Sequence, residues 1–258
     1  MSRNNVRLLL TLVALIAMVR YFDRRSDPGS APSPTRDERA AQQLDQELTP
    51  AAAVDQKEGL AAAIVIDVSG SMDESVKGQD GRPEKKIDIA RRTALEAVDQ
   101  FVAYAKEHAD EPVLLGVYEF SRRRGDPDCR PVVPMGPPDR ERAATAIVAL
   151  DADGGTPIGQ AMIAAKQALD ATGLTHRHLL LVTDGENTDG VRPERVAQAI
   201  NRRPDAERPA IYFVAFDVDA NRFTGVKDAG GLVLSASTAN ELSSTLDSLL
   251  RGKILVEK

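Results

Sequence analysis

Residues 61–72 have the sequence AAAIVIDVSGSM. An unbroken apolar run ends at Asp67, a pattern that predicts a strand buried on both faces and followed by a polar loop. Ligands of parallel α/β sheets bind at the carboxyl ends of the strands. The loop Val68–Met72 therefore lies where a functional site is expected.

The sequence after this strand alternates between apolar runs and helical periodicities. Apolar residues recur at helical spacing from Lys85 to Lys106, and a Thr238–Glu241 capping box opens the last helix. Strands separated by helices connect by right-handed crossovers, so we predict an α/β fold with a doubly wound, mostly parallel sheet and helices on both faces. Further strands are predicted at Val113–Phe120, Arg130–Val133, Leu179–Thr183, Ile211–Phe216 and Leu232–Leu234, and further helices at Arg140–Leu150, Ile158–Leu169 and Pro193–Arg202.

The amino terminus, residues 1–25, is basic and apolar. Leu8–Val19 is apolar apart from Thr11, but its 12 residues are fewer than the roughly 20 that span a bilayer comfortably. We interpret residues 1–25 as an uncleaved signal anchor that places the protein in the cell membrane by a single pass, with the domain outside the cytoplasm. A cleaved signal and an interfacial helix are the alternatives.

Residues 26–58 are predicted to be a flexible linker. Asp27–Pro34 combines proline, glycine and serine without apolar periodicity, which is typical of an extended, solvated segment. Arg36–Leu48 can form a short polar helix, but it offers few apolar positions for packing. The folded domain is therefore expected at residues 59–258, after the linker and the hydrophobic amino-terminal helix.

The charge of the chain is unevenly distributed. The formal net charge is −6, and residues 1–25 contribute +4 from five arginines and one aspartate, which leaves −10 on the remainder. An acidic body lacks the basic face that nucleic-acid binding needs, so no nucleic-acid partner is expected. Cys129 is the single cysteine, which excludes an intrachain disulfide and a multi-cysteine zinc site.

Three polar segments fall at positions where a sheet of this kind binds ligands. The first is Asp67–Met72, the second is Gly154–Pro157 before a helix, and the third is Thr183–Glu186 after a buried strand. Each alone is compatible with an ordinary turn or a helix cap. Their joint presence in this order favours one shared site.

The side chains of these segments suit a hard cation. Mg²⁺ prefers about six oxygen ligands, and the segments offer three hydroxyls and two carboxylates without nitrogen or sulfur, which argues against zinc. Neutral hydroxyls leave the metal electron-poor, so a vacant position would favour a carboxylate from another molecule. The candidate metal ligands are Asp67, Ser69, Ser71, Thr156 and Asp184.

This pattern resembles the metal-ion-dependent adhesion site (MIDAS) of von Willebrand factor A-type (VWA) domains. Asp-x-Ser-x-Ser at residues 67–71, Thr156 after Gly-Gly, and Thr-Asp-Gly at residues 183–185 carry the resemblance, which extends over about residues 59–250. It implies a Rossmann-like VWA fold, Ser69, Ser71 and Thr156 as direct ligands, and Asp67 and Asp184 often acting through water. Mg²⁺ is the implied cofactor, with Mn²⁺ or Ca²⁺ as alternatives.

The function implied is a membrane-tethered, non-enzymatic module that captures an Asp or Glu carboxylate of a partner protein through bound Mg²⁺. An alternative is a VWA subunit that cooperates with a MoxR-type AAA ATPase in protein assembly or maturation. An enzyme is disfavoured because His108, His176 and His178 are expected far from the site, which leaves a serine nucleophile without a base.

Two further segments near the strand ends need interpretation. Asp73–Glu84 contains two glycines and a proline, so we predict a mobile loop that is either a surface insertion or an element that affects partner choice. Asp217, Asp219 and Asn221 alternate like the start of a calcium loop, but Arg222 replaces the turn glycine. We expect a solvated acidic turn there.

Overall fold

A computed structural model describes residues 35–50 and 56–256 of the chain. The predicted signal anchor, residues 1–25, lies outside the described residues. None of the helices in the described ranges combines the length and apolar character needed to cross a bilayer.

A boundary between two compact units falls between Gln43 and Leu44, inside helix α1 (Arg36–Glu47). The described part of the first unit, residues 35–43, is exposed throughout. Its helix begins with a capping box, because Glu38 N–H donates to Thr35 Oγ1 at 3.2 Å and Thr35 N–H donates to Glu38 Oε2 at 2.6 Å.

The second unit contains a six-stranded sheet. Its strands are β1 (Lys57–Asp67), β4 (Val113–Phe120), β5 (Cys129–Gly136), β6 (Leu174–Thr183), β7 (Ala210–Phe216) and β8 (Leu232–Ala236). Their order across the sheet is β5-β4-β1-β6-β7-β8. All neighbouring strands are parallel except β5, which pairs antiparallel with β4 at the edge. The predicted α/β class with a mostly parallel sheet is confirmed.

Helices cover both faces of this sheet, as predicted. Alternate residues of β1 point to opposite sides: Ala62, Ile64 and Ile66 pack with one set of helices, and Ala63 and Val65 pack with the other. The first set is α2 (Lys86–Glu107), α3 (Arg140–Val148) and α7 (Ala239–Leu249), and the second is α4 (Ile158–Asp170), α5 (Pro193–Asn201) and the short α6 (Thr224–Asp228).

The segment Asp73–Glu84, predicted to be a mobile loop, contains regular secondary structure. Ser75–Lys77 (β2) and Pro83–Lys85 (β3) pair as an antiparallel hairpin. The Glu84 carboxylate accepts hydrogen bonds from both terminal nitrogens of Arg92 on α2, which fastens the hairpin to the helix. The prediction missed the hairpin because its strands are short and polar.

The edge strand β5 contains two prolines, Pro131 and Pro134. Proline has no N–H to donate to a strand ladder, and it occurs in sheets mainly at edges. A strand was predicted at Arg130–Val133; it extends over Cys129–Gly136 and pairs with β4.

The end of α1 packs more firmly than its sequence suggested. Leu44 and Leu48 are four residues apart on one helical face, and both are buried in the cluster that covers the α4 side of the sheet. Gln167 of α4 also donates to the Glu47 carbonyl at 2.8 Å. Two leucines therefore suffice to fix this helix end.

Leu48→Ala is expected to lower the free energy of unfolding by about 2–4 kcal/mol, because it leaves a cavity at a fully buried position. Val148→Ala, at a side chain that is 65% exposed, serves as the control and is expected to change it by less than about 0.5 kcal/mol. Urea unfolding of both variants measures the difference. Equal stability of the two variants would show that residues 44–48 contribute nothing to the core.

Candidate functional site

The candidate site lies where the chain reverses its direction across the sheet. From β1 the chain crosses through α2 to β4 on one side, and it later returns through α4 on the opposite face to β6 on the other side. The loop after β1 leads to α2, and the loop after β6 leads to α5 on the opposite face. The two loops therefore leave in opposite directions and open a crevice at the carboxyl ends of the strands. The three predicted polar segments border this crevice.

Asp67 closes β1 at the floor of the crevice and is completely buried. Ser69 N–H donates to its Oδ1 at 2.8 Å, and the Thr183 hydroxyl at the end of β6 donates to its Oδ2 at 2.5 Å. Parallel pairing of β1 with β6 brings these residues side by side, since Ile66 aligns with Val182. Both carboxylate oxygens are thus oriented by neighbouring donors.

The two serines and Asp184 lie above Asp67. Ser69 Oγ is 3.2 Å from Ser71 Oγ, and Ser71 Oγ donates to Asp184 Oδ1 at 2.7 Å. Thr156 lies beside them. A Cβ atom added to Gly185 would lie 3.5 Å from Thr156 Oγ1 and 3.8 Å from Ser71 Oγ, so both hydroxyls border the same small space. The structure therefore brings together all five residues that the sequence predicted for the site.

The loop that carries Thr156 is held by backbone contacts. Gly70 N–H donates to the Gly154 carbonyl at 2.9 Å. Gly154 has φ +88°, and any side chain there would collide with the Arg122 carbonyl oxygen. Glycine at this position therefore lets the loop approach both the first motif and the end of β4.

Thr188 is a positioning residue that the sequence analysis missed. Its hydroxyl accepts a hydrogen bond from Thr156 N–H at 2.8 Å, and its own N–H donates to the Thr156 carbonyl at 3.1 Å. No spacing rule marks Thr188 in the sequence. Its proximity to the Thr183–Glu186 segment was the available signal.

The donor set fits a hard divalent cation. It consists of hydroxyl and carboxylate oxygens, the ligands that Mg²⁺ prefers. Within residues 35–50 and 56–256, no three His, Cys, Asp or Glu side chains form a metal-holding cluster, as expected when hydroxyls supply most of the donors. Asp67 also has no Lys or Arg partner among the described residues, so its buried charge lacks a counter-cation.

Burial raises the pKa of Asp67 to about 7. Hydrogen bonds from Ser69 and Thr183 oppose this effect, while the negative charge of Asp184 adds to it. Desolvation dominates because a carboxylate in a low-dielectric environment is costly without a positive partner. A cation bound beside Asp67 would remove this cost.

Lys86 is the charged residue of the site that the sequence analysis missed. The residue is 3% exposed, and its Nζ lies 3.0 Å from Asp184 Oδ2, 3.0 Å from Asp217 Oδ2 and 3.1 Å from Glu74 Oε2. Burial lowers the pKa of Lys86, but hydrogen bonds to the three carboxylates outweigh burial and raise it above the ordinary lysine value. A lysine at the first residue of a helix, where the dipole disfavours cations, was the missed signal.

Asp217 and Asp219 are exposed after β7, in agreement with the predicted solvated acidic turn, but Asp217 also has a specific partner. This residue forms the ion pair with Lys86, and it adopts φ +55°, the left-handed conformation that non-glycine residues rarely adopt. Asp219 instead caps a short helical turn by accepting from Asn221 N–H at 2.9 Å. Asp217 thus belongs to the rim of the site.

The histidines lie away from the crevice, as expected. His176 and His178 belong to the first half of β6 rather than preceding the strand, and Thr183 at its far end borders the site. At about 3.3 Å per residue, His178 is roughly 16 Å from Thr183. His108 ends α2, where its Nδ1 is 3.0 Å from the Tyr104 carbonyl oxygen.

Residues 62–186 match the von Willebrand factor type A domain family. No curated protein matches the chain in sequence. The matched segment contains all five candidate ligands. Together with the fold, this match supports the interpretation of the chain as a VWA-domain protein.

Solved structures of three proteins share the fold. The PilB minor pilin from Streptococcus sanguinis has a TM-score of 0.59 at 12% identity, covering 80% of this chain and 63% of the pilin. The von Willebrand factor type A protein from Catenulispora acidiphila has a TM-score of 0.57 at 22% identity, covering 74% of this chain and 42% of that one. The vWF domain of the type V pili tip protein Mfa5 from Porphyromonas gingivalis has a TM-score of 0.58 at 12% identity, covering 78% and 96%.

The chain thus spans less than two thirds of the first two of these proteins. At such identities the similarity shows the fold alone.

In metal-free solution, the stability of Asp67→Asn is expected to rise relative to that of the wild-type protein between pH about 4 and about 7. The pKa of Asp67 is higher in the folded than in the unfolded protein, so folded wild-type protein binds the extra proton in this window and loses stability as it dissociates. The full change is at most about 4 kcal/mol. Urea unfolding in EDTA at several pH values measures it.

Groups that titrate equally in the wild-type protein and in Asp67→Asn do not affect the stability difference between the two proteins. Burial lowers the pKa of His178 to about 4, which makes both proteins less stable as the pH falls below the ordinary histidine value. A stability difference that does not change with pH would contradict a buried Asp67 without a counter-cation.

Proposed function

We propose that this protein is a membrane-tethered binding module that captures an acidic residue of a partner protein through Mg²⁺ held in a MIDAS. The observation that carries this function is the convergence of three hydroxyls and two carboxylates, one of which is the buried Asp67 without a positive partner. Mn²⁺ or Ca²⁺ can occupy the same kind of oxygen site. In this proposal the tether is residues 1–25.

Each residue of the site has a distinct role in this proposal. Ser69, Ser71 and Thr156 supply neutral oxygens, so they bind a cation without cancelling its charge. Asp67 and Asp184 supply the compensating negative charge, directly or through water. When bound, the metal offers a Lewis-acidic position to a carboxylate from outside. Such a site favours micromolar-to-millimolar metal affinity until a partner completes it.

A binding role rather than catalysis agrees with the residues around the crevice. A serine nucleophile needs a free base within hydrogen-bond reach. Ser69 Oγ lies against Ser71 Oγ, and Ser71 donates to the Asp184 carboxylate, which is already paired with Lys86. The three histidines lie elsewhere. A pilus tip protein and a minor pilin share the fold, which agrees with an interaction module working outside the cell.

The alternative, a subunit of a MoxR-type ATPase system, stays a prediction. Co-purification of the full-length protein with an AAA ATPase would support it. The proposed metal chemistry would be the same in either setting.

Thr156→Ala and Asp184→Asn are each expected to weaken Mg²⁺ binding about tenfold or more, because each removes a group that holds or charges the site. Isothermal titration with MgCl₂ and with MnCl₂ measures the affinity. Thr145→Ala is the matched control, since this threonine is on the exposed face of α3 and its hydroxyl donates to the Glu141 carbonyl of the same helix. Wild-type affinity in both site variants would contradict the MIDAS.

Carboxylate capture is tested with an immobilised random peptide library. Mg²⁺-dependent enrichment of peptides with Asp or Glu, lost when that residue becomes Asn or Gln, is the expected result. Enrichment that persists in EDTA, or that is insensitive to the amide substitution, would contradict capture through the metal.

A further inference from the structure

Lys86 occupies an unusual position beside the candidate ligand Asp184. Its ammonium group is almost fully enclosed and lies within 3.1 Å of a carboxylate oxygen from each of Glu74, Asp184 and Asp217. These acids belong to three segments: the turn after the first motif, the loop after β6 and the loop after β7. One buried cation therefore joins three borders of the crevice.

The surrounding backbone is arranged to make these ion pairs. Asp217 is the only non-glycine residue with positive φ in the described part of the chain, and its carboxylate contacts Lys86. A conformation of this kind persists only where the surroundings stabilise it. Lys86 N–H also donates to the Glu74 carbonyl at 2.9 Å, which holds the base of the hairpin against the start of α2.

Asp184 is shared between Lys86 and the candidate metal position. Its Oδ2 accepts from Lys86, while its Oδ1 accepts from Ser71, which is itself a candidate ligand. A divalent cation at the hydroxyls would lie near the Lys86 ammonium, whose side chain is only 4% exposed. Two positive charges a few ångströms apart repel each other strongly enough to change a metal-binding constant severalfold to many-fold.

We propose that Lys86 is a built-in counter-cation that balances Asp184 when the site is empty and so limits how tightly the site holds a divalent metal. This inference rests on the proposed function, because it concerns the same metal site. It assigns Lys86 a positioning and affinity-setting role, not that of a ligand. The consequence is a site that releases its metal readily and depends on a partner carboxylate to retain it.

Lys86→Met keeps the length and apolar stem of the side chain but removes its charge. Magnesium affinity, measured by isothermal titration of the full-length protein with MgCl₂, is expected to increase about tenfold, because a repelling charge is lost and Asp184 is released. The metal-free variant is expected to unfold at lower temperature, and Mg²⁺ is expected to raise its Tm more than that of wild type. Unchanged or weaker affinity would overturn the role of Lys86.

Lys85→Met is the matched control. Lys85 is the preceding residue, its side chain is 51% exposed, and it pairs with Asp73 rather than with a candidate ligand. It removes the same charge from the same region, so its Mg²⁺ affinity is expected to stay within about twofold of wild type, as for an exposed charge screened by water and salt. A tenfold gain in this variant would mean that general charge, not Lys86, sets the affinity.

Glu74→Gln tests the same idea without unfolding risk, because the Glu74 side chain is 70% exposed. Loss of this partner leaves the Lys86 charge less balanced and directs it to Asp184, so Mg²⁺ affinity is expected to fall about threefold. Asp80→Asn, an exposed acid of the hairpin tip that pairs with Arg82, is the control and is expected to behave like wild type. A gain of affinity in Glu74→Gln would overturn the role of Lys86.

The two proposals fail in different ways. Wild-type binding of Mg²⁺ without a gain in Lys86→Met overturns the role of Lys86 and leaves the metal site intact. Binding in Lys86→Met but not in wild type supports the role of Lys86. Absence of binding in both proteins overturns both proposals.

Discussion

The hydrogen bond between the Thr183 hydroxyl and the Asp67 carboxylate joins the ends of the two central strands, and the rest of the site depends on it. Parallel pairing of β1 with β6 places the two residues side by side. Because α2 and α5, to which these strands lead, lie on opposite faces, the loops beyond this point separate and leave a crevice. The loop that carries Thr156 can then enter the crevice, guided by the contact between Gly70 and Gly154.

Much of this arrangement was predictable because each polar segment follows a strong local pattern. Asp67 ends an apolar run, Thr183 ends another, and Thr156 precedes a proline at the start of a helix. The order of strands and helices then requires the carboxyl ends of the parallel strands to share one edge. The five candidate ligands were therefore found from spacing and strand ends, and the fold class with them.

What the sequence did not reveal depends on contacts between distant segments. Lys86 looks like one of two exposed lysines at the start of a helix, and only the approach of Glu74, Asp184 and Asp217 shows that it is enclosed. The β2–β3 hairpin was missed because strands of only three residues carry no periodic signal. The packing of Leu44 and Leu48 was missed because two leucines in an otherwise polar helix give little indication of what lies opposite.

The prolines of β5 have a consequence for how copies of this domain can associate. A sheet edge with free N–H groups can accept a strand from another molecule and so grow into a continuous intermolecular sheet. Pro131 and Pro134 remove two donors from the eight residues of β5, so that edge is poorly suited to such growth. The opposite edge, β8, has no proline but is only five residues long. Both edges of the sheet therefore limit the pairing of one copy of the domain with another, and copies at high local concentration resist merging into a shared sheet.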